Sequence, residues 1–470
     1  MNYNLKKCPL TLNTTRICAT NPIDTSIEVS RIGFTNMKPN AVILVNKNEV
    51  FNGISATSLI HFPINASLLF TDGNSLSKET LNEIQRLSPK GYKGIHVILV
   101  GNISKNVSSE LNKCGFRTHH IAGRNHYETA CMISSLRKEF KNILIISGKD
   151  YSEGIIAGYW SAHHGDPILH VQRDKIPCCT LEAIKKMKDI NIYIIGSTKT
   201  VSKAVENYLA NLDNVKNLDR IDGETPYDIS VKFAKYRDPK TEFGWDRNCR
   251  EGNAFTFGEL NNPMGIIAGV LFAHMGKHTP PLLIENNTIP KVVERYIKSV
   301  KPMPHKDMPR PPFMHGFILG STQNISYEAQ VMIENTISID HEMMGMDHEM
   351  IKMDDEIMGD MDHKMMDDMH HKMMDDMHHK MMCDMDHKMM GDMNHKMMCD
   401  MDHEMMGDMD HKMMCDMNHE TMCNSDHIYY DAGESNEEMN HDCNHKMRED
   451  HTFEFFNFNY RIVSMDEILG

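Results

Sequence analysis

The chain has 470 residues, of which 24% are charged and 40% are hydrophobic, and its formal net charge is −15. This length allows about three domains of ordinary size. No apolar run reaches the roughly 20 residues that a transmembrane helix needs, which excludes that class of membrane protein.

The cysteines and the first residues bear on the compartment. Twelve cysteines in a chain of this length do not make a disulfide scaffold. We therefore predict mostly buried, reduced thiols, Cys131 among them, and a reducing compartment. Residues 1–10 contain two lysines with no apolar segment behind them, so we predict no secretory signal peptide.

Residues 1–20 form a lead-in, and a first α/β module follows over residues 21–123. Short apolar runs at 41–45, 66–70 and 95–100 alternate with helix-length amphipathic segments. This alternation is typical of a parallel sheet covered by helices.

The same order of elements recurs twice, over residues 124–223 and 224–338. The pentapeptide Gly-Ile-Ile-Ala-Gly at 154–158 returns letter for letter at 265–269. Recurrence of this kind predicts three related parallel-sheet modules of a Rossmann- or toprim-like type. The glycines at 53, 154 and 265 start helices rich in small residues, and close packing explains them better than a ligand contact does.

A glycine and a polar residue follow the third strand of the modules, as in Gly196-Ser197 and Gly320-Ser321. Such a strand-to-helix turn can hold an anion on backbone N–H groups. The spacing of a dinucleotide fingerprint or a phosphate-binding P-loop is missing, and no nucleophile–base pair stands out. In the third module, Trp245 lies in an insertion, where it either stacks on a sugar or partner or anchors the loop by burying its ring.

The composition changes abruptly over residues 339–450. Asp340 to Asp450 contains 31 acidic and 9 basic residues, so this tract carries −22 and the rest of the chain about +7. An octad with the pattern Asp-Met-x-His-Lys-Met-Met-x fills most of the tract. Eight residues turn a helix by 800°, so the octad cannot form one packed helix face, and we predict a disordered, low-complexity segment.

The octad is rich in metal ligands. Thioether and thiolate sulfur suit Cu(I), and imidazole suits Cu(II), Zn(II) and Ni(II). We predict that the tract binds metal ions, copper first, although a solvated repeat expanded by slippage is the alternative. The candidate ligands are His363, Met366, His371, Met374, His379, Met382, Cys383, His387, Met390, His395, Met398, Cys399, His403, His411, Met414, Cys415, His419, Cys423 and His427.

Residues 451–470 end the chain with an aromatic, β-prone run. Residues 460–463 resemble residues 219–222 at the end of the second module, as Arg16-Ile17-Cys18 in the lead-in also does. We interpret the metal tract as an insertion, after which a strand at 453–464 returns to close the third module.

The three modules resemble the type 2 cell wall binding repeats of Gram-positive surface proteins. The residues that carry the resemblance are 121–123, 127–130, 167–169, 196–202, 281–283 and 320–326. The resemblance implies three modules in a pseudo-threefold arrangement that attach non-covalently to an anionic cell wall polymer and are not catalytic. It makes the strand-end turns and the module openings candidates for polymer binding, with residues Asn125, His126, Gly196, Ser197, Arg220, Gly320 and Ser321.

The chain departs from the family pattern at two positions in every module. The opening arginine and the helix aspartate are replaced, and the residues found there are Pro22, His126 and Pro226, and Asn52, Glu153 and Met264. The expected partners are the wall polymer and metal ions, without nucleic acid, and the expected location is the cell surface. The alternative is a cytoplasmic metal-binding buffer or resistance protein on a degenerate wall-binding fold.

Overall fold

The computed structural model describes residues 8–137, 140–250, 252–302 and 314–339. Within these ranges the chain forms three parallel four-stranded sheets, one for each module, with helices packed on them. This confirms the predicted fold class. The metal tract and the returning strand lie outside the described residues.

The first sheet belongs to residues 21–123. A strand of the lead-in, β1 (Thr14–Ile17), precedes this module. The module then contains α1 (Pro22–Gly33), β2 (Ala41–Asn46), α2 (Val50–Ala56), β3 (Ala66–Thr71), α3 (Lys78–Leu87), β4 (Val97–Val100), α4 (Lys105–Lys113) and β5 (Thr118–Ile121). Its strand order is β3-β2-β4-β5.

The second module repeats this plan. It contains α5 (His126–Leu136), β6 (Asn142–Ser147), α6 (Ala157–His164), β7 (Ile168–Val171), α7 (Cys178–Lys186), β8 (Ile190–Ile195), α8 (Lys203–Ala210) and β9 (Val215–Ile221). Its strand order, β7-β6-β8-β9, places each strand where its counterpart lies in the first sheet.

The third module follows the same plan with one difference. It contains α9 (Pro226–Lys235), β10 (Asn253–Glu259), α10 (Pro263–Ala268), β11 (Pro281–Ile284), α11 (Lys291–Ser299), β12 (Met314–Leu319) and α12 (Tyr327–Ile337). Its sheet has the order β11-β10-β12-β1, so the fourth strand comes from the lead-in.

The origin of this fourth strand corrects the sequence interpretation, which assigned the closing position of module three to residues 453–464. Strand β1 lies beside β12 in parallel register, from Thr14 opposite Gly316 to Ile17 opposite Leu319. The position that β5 and β9 hold in the other sheets is therefore occupied from the front of the chain. A buried guanidinium, that of Arg16, fixes β1 there by donating to the Gln330 side chain of α12.

The same caps begin equivalent helices in all three modules. Asn21, Asn125 and Thr225 precede α1, α5 and α9, and each side chain accepts a hydrogen bond from the backbone N–H three residues later. Such caps satisfy amide groups that the first helical turn leaves without partners. The repeat is thus visible in local hydrogen bonding as well as in topology.

The modules join through their small-residue helices, which gives the predicted pseudo-threefold arrangement. Going round, α1 packs on module three, where a Cβ added at Gly33 would lie 2.4 Å from Leu271. Phe51 of module one stacks on His126 of α5, with ring centroids 4.7 Å apart. Phe233 of α9 contacts Trp160 of α6 with the rings tilted and their centroids 6.5 Å apart. One hydrophobic core therefore runs through all three modules.

Close packing, not a ligand, explains the three recurring glycines. A Cβ at Gly53 would come within 3.2 Å of Ile267, and one at Gly154 within 2.7 Å of Ile146. At Gly265 the close neighbour is Asn262, the cap of α10, at 2.2 Å. Larger residues would separate helices from the sheet or from each other.

The cysteine prediction needs correction. Cys8 and Cys18 form a disulfide that brackets β1. Among the described free cysteines, Cys114, Cys178 and Cys249 are exposed, and Cys131 and Cys179 are half-buried, so none is fully buried as expected. In the described part of the chain, none of the helices combines the length and apolar character that crossing a bilayer requires.

Candidate functional site

The predicted anion-binding turns follow β4, β8 and β12, at the carboxyl end of an inner strand of each sheet. Each turn begins with a glycine at positive φ, namely 83° at Gly101, 140° at Gly196 and 110° at Gly320. Glycine adopts such angles without the steric cost that a Cβ would bring. The backbone N–H and C=O groups of these turns both have partners that fix their orientation.

The carbonyl of each turn glycine is held by a side chain from the neighbouring edge strand. Arg220 Nη1 donates to Gly196 O at 2.7 Å, and Arg16 Nη1 donates to Gly320 O at 3.0 Å. In module one, His120 Nε2 lies 2.7 Å from Gly101 O. The predicted polymer-binding Arg220 is thus turned inward, with 8% of its side chain exposed and an ion pair to Glu206 at 2.6 Å.

The N–H groups of two turns are held by carboxylates of the protein itself. In module two, Glu153 Oε2 accepts from Ser197 N at 2.8 Å, and the hydroxyl groups of Ser197 and Thr200 donate to the same carboxylate. In module one, Glu49 Oε2 accepts from Asn102 N at 2.9 Å. Both turns therefore bind an anion, but this anion is an internal side chain.

The third turn has different surroundings. Ser321 is buried, and its hydroxyl approaches Asn324 Oδ1 at 3.5 Å. Met264 stands where module two has Glu153 in the sequence repeat. In this module the side chain that contacts the turn serine is therefore an amide, that of Asn324, and not a carboxylate.

The opening of module two is exposed at Arg124 and Asn125, but its polar groups already have partners within the protein. Asn125 Oδ1 accepts from Glu128 N at 3.1 Å and so acts as a helix cap. His126 is half-buried between Phe51 and Tyr127, with Nε2 3.1 Å from Gly148 O, and burial lowers its pKa. The polymer-binding role of Asn125, His126 and the turn residues stays a prediction.

A cleft with a mainly basic lining lies where module two passes into module three, and no motif in the sequence predicted it. Its volume is about 290 Å³, and its lining residues are Arg220, Ile221, Asp222, Lys232, Lys235 and Tyr236. Lys232 and Lys235 are exposed on one face of α9. The sequence marks the cleft only by two lysines three residues apart in the last turn of α9. Lysines are also common there for another reason, because the C-terminal end of a helix dipole attracts positive charge.

Trp245 is buried, with 5% of its surface exposed, and lies edge-on to Trp160 at 5.4 Å. This confirms the interpretation that the ring anchors its loop. The metal ligands predicted between His363 and His427 all lie outside the described residues, so metal binding by the tract stays a prediction.

Comparison with known proteins connects this fold to bacterial cell walls. Residues 120–206 match the family model Cell wall binding domain 2 (CWB2). The chain is 28% identical over 200 residues to the amidase enhancer of Bacillus subtilis, covering 42% of this chain and 26% of the relative. It is 25% identical over 223 residues to N-acetylmuramoyl-L-alanine amidase LytC of the same organism, covering 47% and 42%.

Two solved structures share the fold. Cwp6 from Clostridium difficile has a TM-score of 0.58 at 16% identity, covering 70% of this chain and 48% of the other. Cwp8 from the same organism has a TM-score of 0.56 at 21% identity, covering 70% and 52%. The chain thus spans about half or less of the length of each of these four proteins. Its middle module is a match to cell wall binding domain 2, and the flanking modules repeat the topology of that module.

Proposed function

We propose that the three modules attach non-covalently to an anionic cell wall polymer and act by binding, without catalysis. The observation that carries the proposal is the match of residues 120–206 to cell wall binding domain 2, on a topology present three times. The charge balance supports it, because the chain outside the acidic tract carries about +7. The Cys8–Cys18 disulfide favours an oxidising location such as the cell surface over the cytoplasmic alternative.

The basic cleft is the polymer site that we favour. The turns of modules one and two already hold Glu49 and Glu153, so an external anion would have to displace an internal one. Lys232 and Lys235 line the cleft at exposed positions, and the carboxylate nearest to Lys232 Nζ, that of Asp228, lies 3.4 Å away in a half-exposed ion pair that an external anion can compete with. Their charge suits phosphate or carboxylate groups spaced along a polymer.

The test is co-sedimentation of the full chain with purified Gram-positive cell walls, with a chelator present to keep metal ions from bridging the acidic tract. We expect saturable binding that weakens at least tenfold in the K232E/K235E variant. The matched control, K185E/K186E, makes the same charge change at the end of α7, where both lysines are exposed. Equal loss in both variants would show that net charge, not the cleft, governs binding. A wild-type chain that stays in the supernatant would contradict wall attachment for the walls tested.

We further propose that the 339–450 tract binds metal ions, with copper preferred. The recurring pairing of histidine with methionine and cysteine supports this, since those side chains suit both oxidation states of copper. Competition with a chromophoric chelator would measure Cu(I), Cu(II), Zn(II) and Ni(II) affinity. Replacing the octad methionines by leucine should weaken Cu(I) binding far more than Zn(II) binding, and equal effects on both would contradict a thioether site.

A further inference from the structure

Two helices of module two bring two free cysteines together. Cys131 lies in α5, and Cys179 is the second residue of α7. Both are half-buried and free. The two helices pack directly against each other, with Cα atoms within 8 Å of one another. Helices approach this closely only where the side chains between them are small, and cysteine is such a residue.

The two cysteines lie on the faces that α5 and α7 turn toward each other. Ala183, one helical turn after Cys179, packs on the same hydrophobic cluster as Cys131. In the opposite direction, Tyr127 lies one turn before Cys131 and interacts electrostatically with Cys179. Residues four positions apart share one face of a helix. The Cys179 side chain therefore lies over the face of α5 that carries Tyr127 and Cys131.

The two thiol groups are in contact. They share a hydrogen bond, and Cys131 also contacts the hydroxyl group of Thr180. Thr180 Oγ1 donates to His170 O at 2.9 Å, which fixes the start of α7 over β7. The pair thus has the arrangement from which disulfides form, with neighbouring elements, facing side chains and adjacent sulfur atoms.

Cys178 has different surroundings from those of Cys179. Successive residues of a helix point about 100° apart, so the two side chains leave α7 in different directions. Cys178 is exposed, whereas Cys179 faces α5. Cys178 therefore serves as an internal comparison for the reactivity of Cys179.

We propose that Cys131 and Cys179 form a dithiol site that a low-molecular-weight disulfide oxidises to an intramolecular disulfide. Cys179, as the thiolate, attacks the small disulfide, which forms a mixed disulfide on Cys179 and releases one small thiolate. Cys131 then attacks the Cys179 sulfur, and its proton passes to the second small thiolate as that group departs. In total, two protein thiols are oxidised and one small disulfide is reduced to two thiols.

The order of the two steps follows from the surroundings of Cys131. Burial, and after it the neighbouring Cys179 sulfur, raises the pKa of the Cys131 thiol to about 12. Cys131 therefore stays protonated at neutral pH, and a protonated thiol is a poor nucleophile. The first attack falls to Cys179, and the mixed disulfide persists until Cys131 resolves it.

The bond would link the start of module two to its second half. Positions 131 and 179 are 48 residues apart, and β6, α6 and β7 lie between them. Such a link restricts the unfolded chain, so the oxidised protein should unfold at a higher urea concentration than the reduced one. The proposal does not depend on wall binding, and the bond is separate from the Cys8–Cys18 disulfide of the lead-in.

The experiment is oxidation of the full chain by oxidised glutathione at pH 7.5, followed by alkylation, tryptic digestion and mass spectrometry. We expect peptides 125–137 and 176–185 to be joined in wild type and in C178S. C131S should instead retain glutathione on Cys179. The matched control C114S, which removes another exposed cysteine, should join the two peptides as wild type does.

A second measurement tests whether the fold holds the two thiols together. Wild type that is unfolded in urea before oxidation should join the two peptides at least about tenfold more slowly, because a flexible chain rarely brings its two sulfur atoms together. This comparison needs no variant. Absence of the link in folded wild type, a link that forms equally fast in C179S, or equal rates in the folded and unfolded chain would overturn the proposal.

Discussion

Arg16, His120 and Arg220 occupy equivalent positions on three edge strands and contact the carbonyl of a turn glycine in each module. The contact with the glycine carbonyl is made by a guanidinium in modules two and three and by an imidazole in module one. The contact is therefore kept although the residue type differs. Arg220 resembles a surface ligand when the sequence is read alone. Its ion pair with Glu206 and its bond to Gly196 instead make it a structural residue.

Glu153 allows a direct test of the internal anion. Its buried carboxylate accepts hydrogen bonds from the backbone and hydroxyl groups of Ser197 and from Thr200. Glu153→Gln keeps the size but removes the charge and places an N–H₂ group against donors. We expect the free energy of unfolding to fall by about 1–3 kcal/mol in urea denaturation at pH 7. Glu182→Gln, at an exposed position on α7, is the control, and equal stability of the two variants would contradict the role of Glu153.

Strand β1 shows how an element from one end of the chain completes a distant module. It pairs with β12, and its Arg16 guanidinium donates to Gln330 Oε1 and to the carbonyls of Gly320, Ile325 and Ser326. The lead-in is therefore part of the third module. Without it, β12 would present an unpaired edge.

Arg16→Met tests that attachment. The methionine fills part of the space but leaves three carbonyls and an amide without their donor, which should lower the free energy of unfolding by about 2–4 kcal/mol. Hydrogen exchange should also rise most strongly in β1 and β12. Arg173→Met is the control, since Arg173 pairs with Asp174 at 61% side-chain exposure. If Arg16→Met unfolds at the same urea concentration as the control, the strand pairing and the contacts of Asn13 and Thr14 with α12 hold β1 without Arg16.

At the scale of the whole molecule, the sequence predicts the three repeats but not the contacts between distant residues that join them. The recurring Gly154 and Gly265 segments and the strand spacing predicted three modules, because each module repeats local patterns. The closing strand of module three was assigned to the wrong end, because the lead-in and residues 460–463 resemble the same template. Glu153 and Ser197 are in contact although 44 positions separate them, and His163 and His278 are in contact across 115 positions. No local sequence pattern predicts contacts of this kind.

Joining three modules through buried histidines makes the whole fold sensitive to acid. His170 is fully buried between modules one and two, with Nε2 2.7 Å from Ser55 Oγ, and burial lowers its pKa to about 3. In the unfolded chain the pKa of histidine is about 6.5. Between these values the unfolded chain binds a proton that the folded chain does not, so stability is complete above about pH 6.5 and falls as the pH drops.

We therefore expect the free energy of unfolding, measured in urea at pH 7, 6 and 5, to decrease, with the buried histidines outweighing Asp166, whose pKa burial raises to about 6 and which opposes part of the decrease. At pH 5, His170 alone should account for about 2 kcal/mol of the decrease, and His61 and His274 add to it because burial lowers their pKa values to about 4. His170→Gln removes one titrating group. It should lower the stability at pH 7, and it should reduce the slope of the free energy of unfolding against pH by the amount that corresponds to about one bound proton. The exposed His119→Gln should retain most of the slope. If the free energy of unfolding depends on pH as steeply in His170→Gln as in wild type, His170 does not have the lowered pKa that its burial implies. Acid would then open the junction between the modules, and expose His170 to water, before it unfolds the sheets.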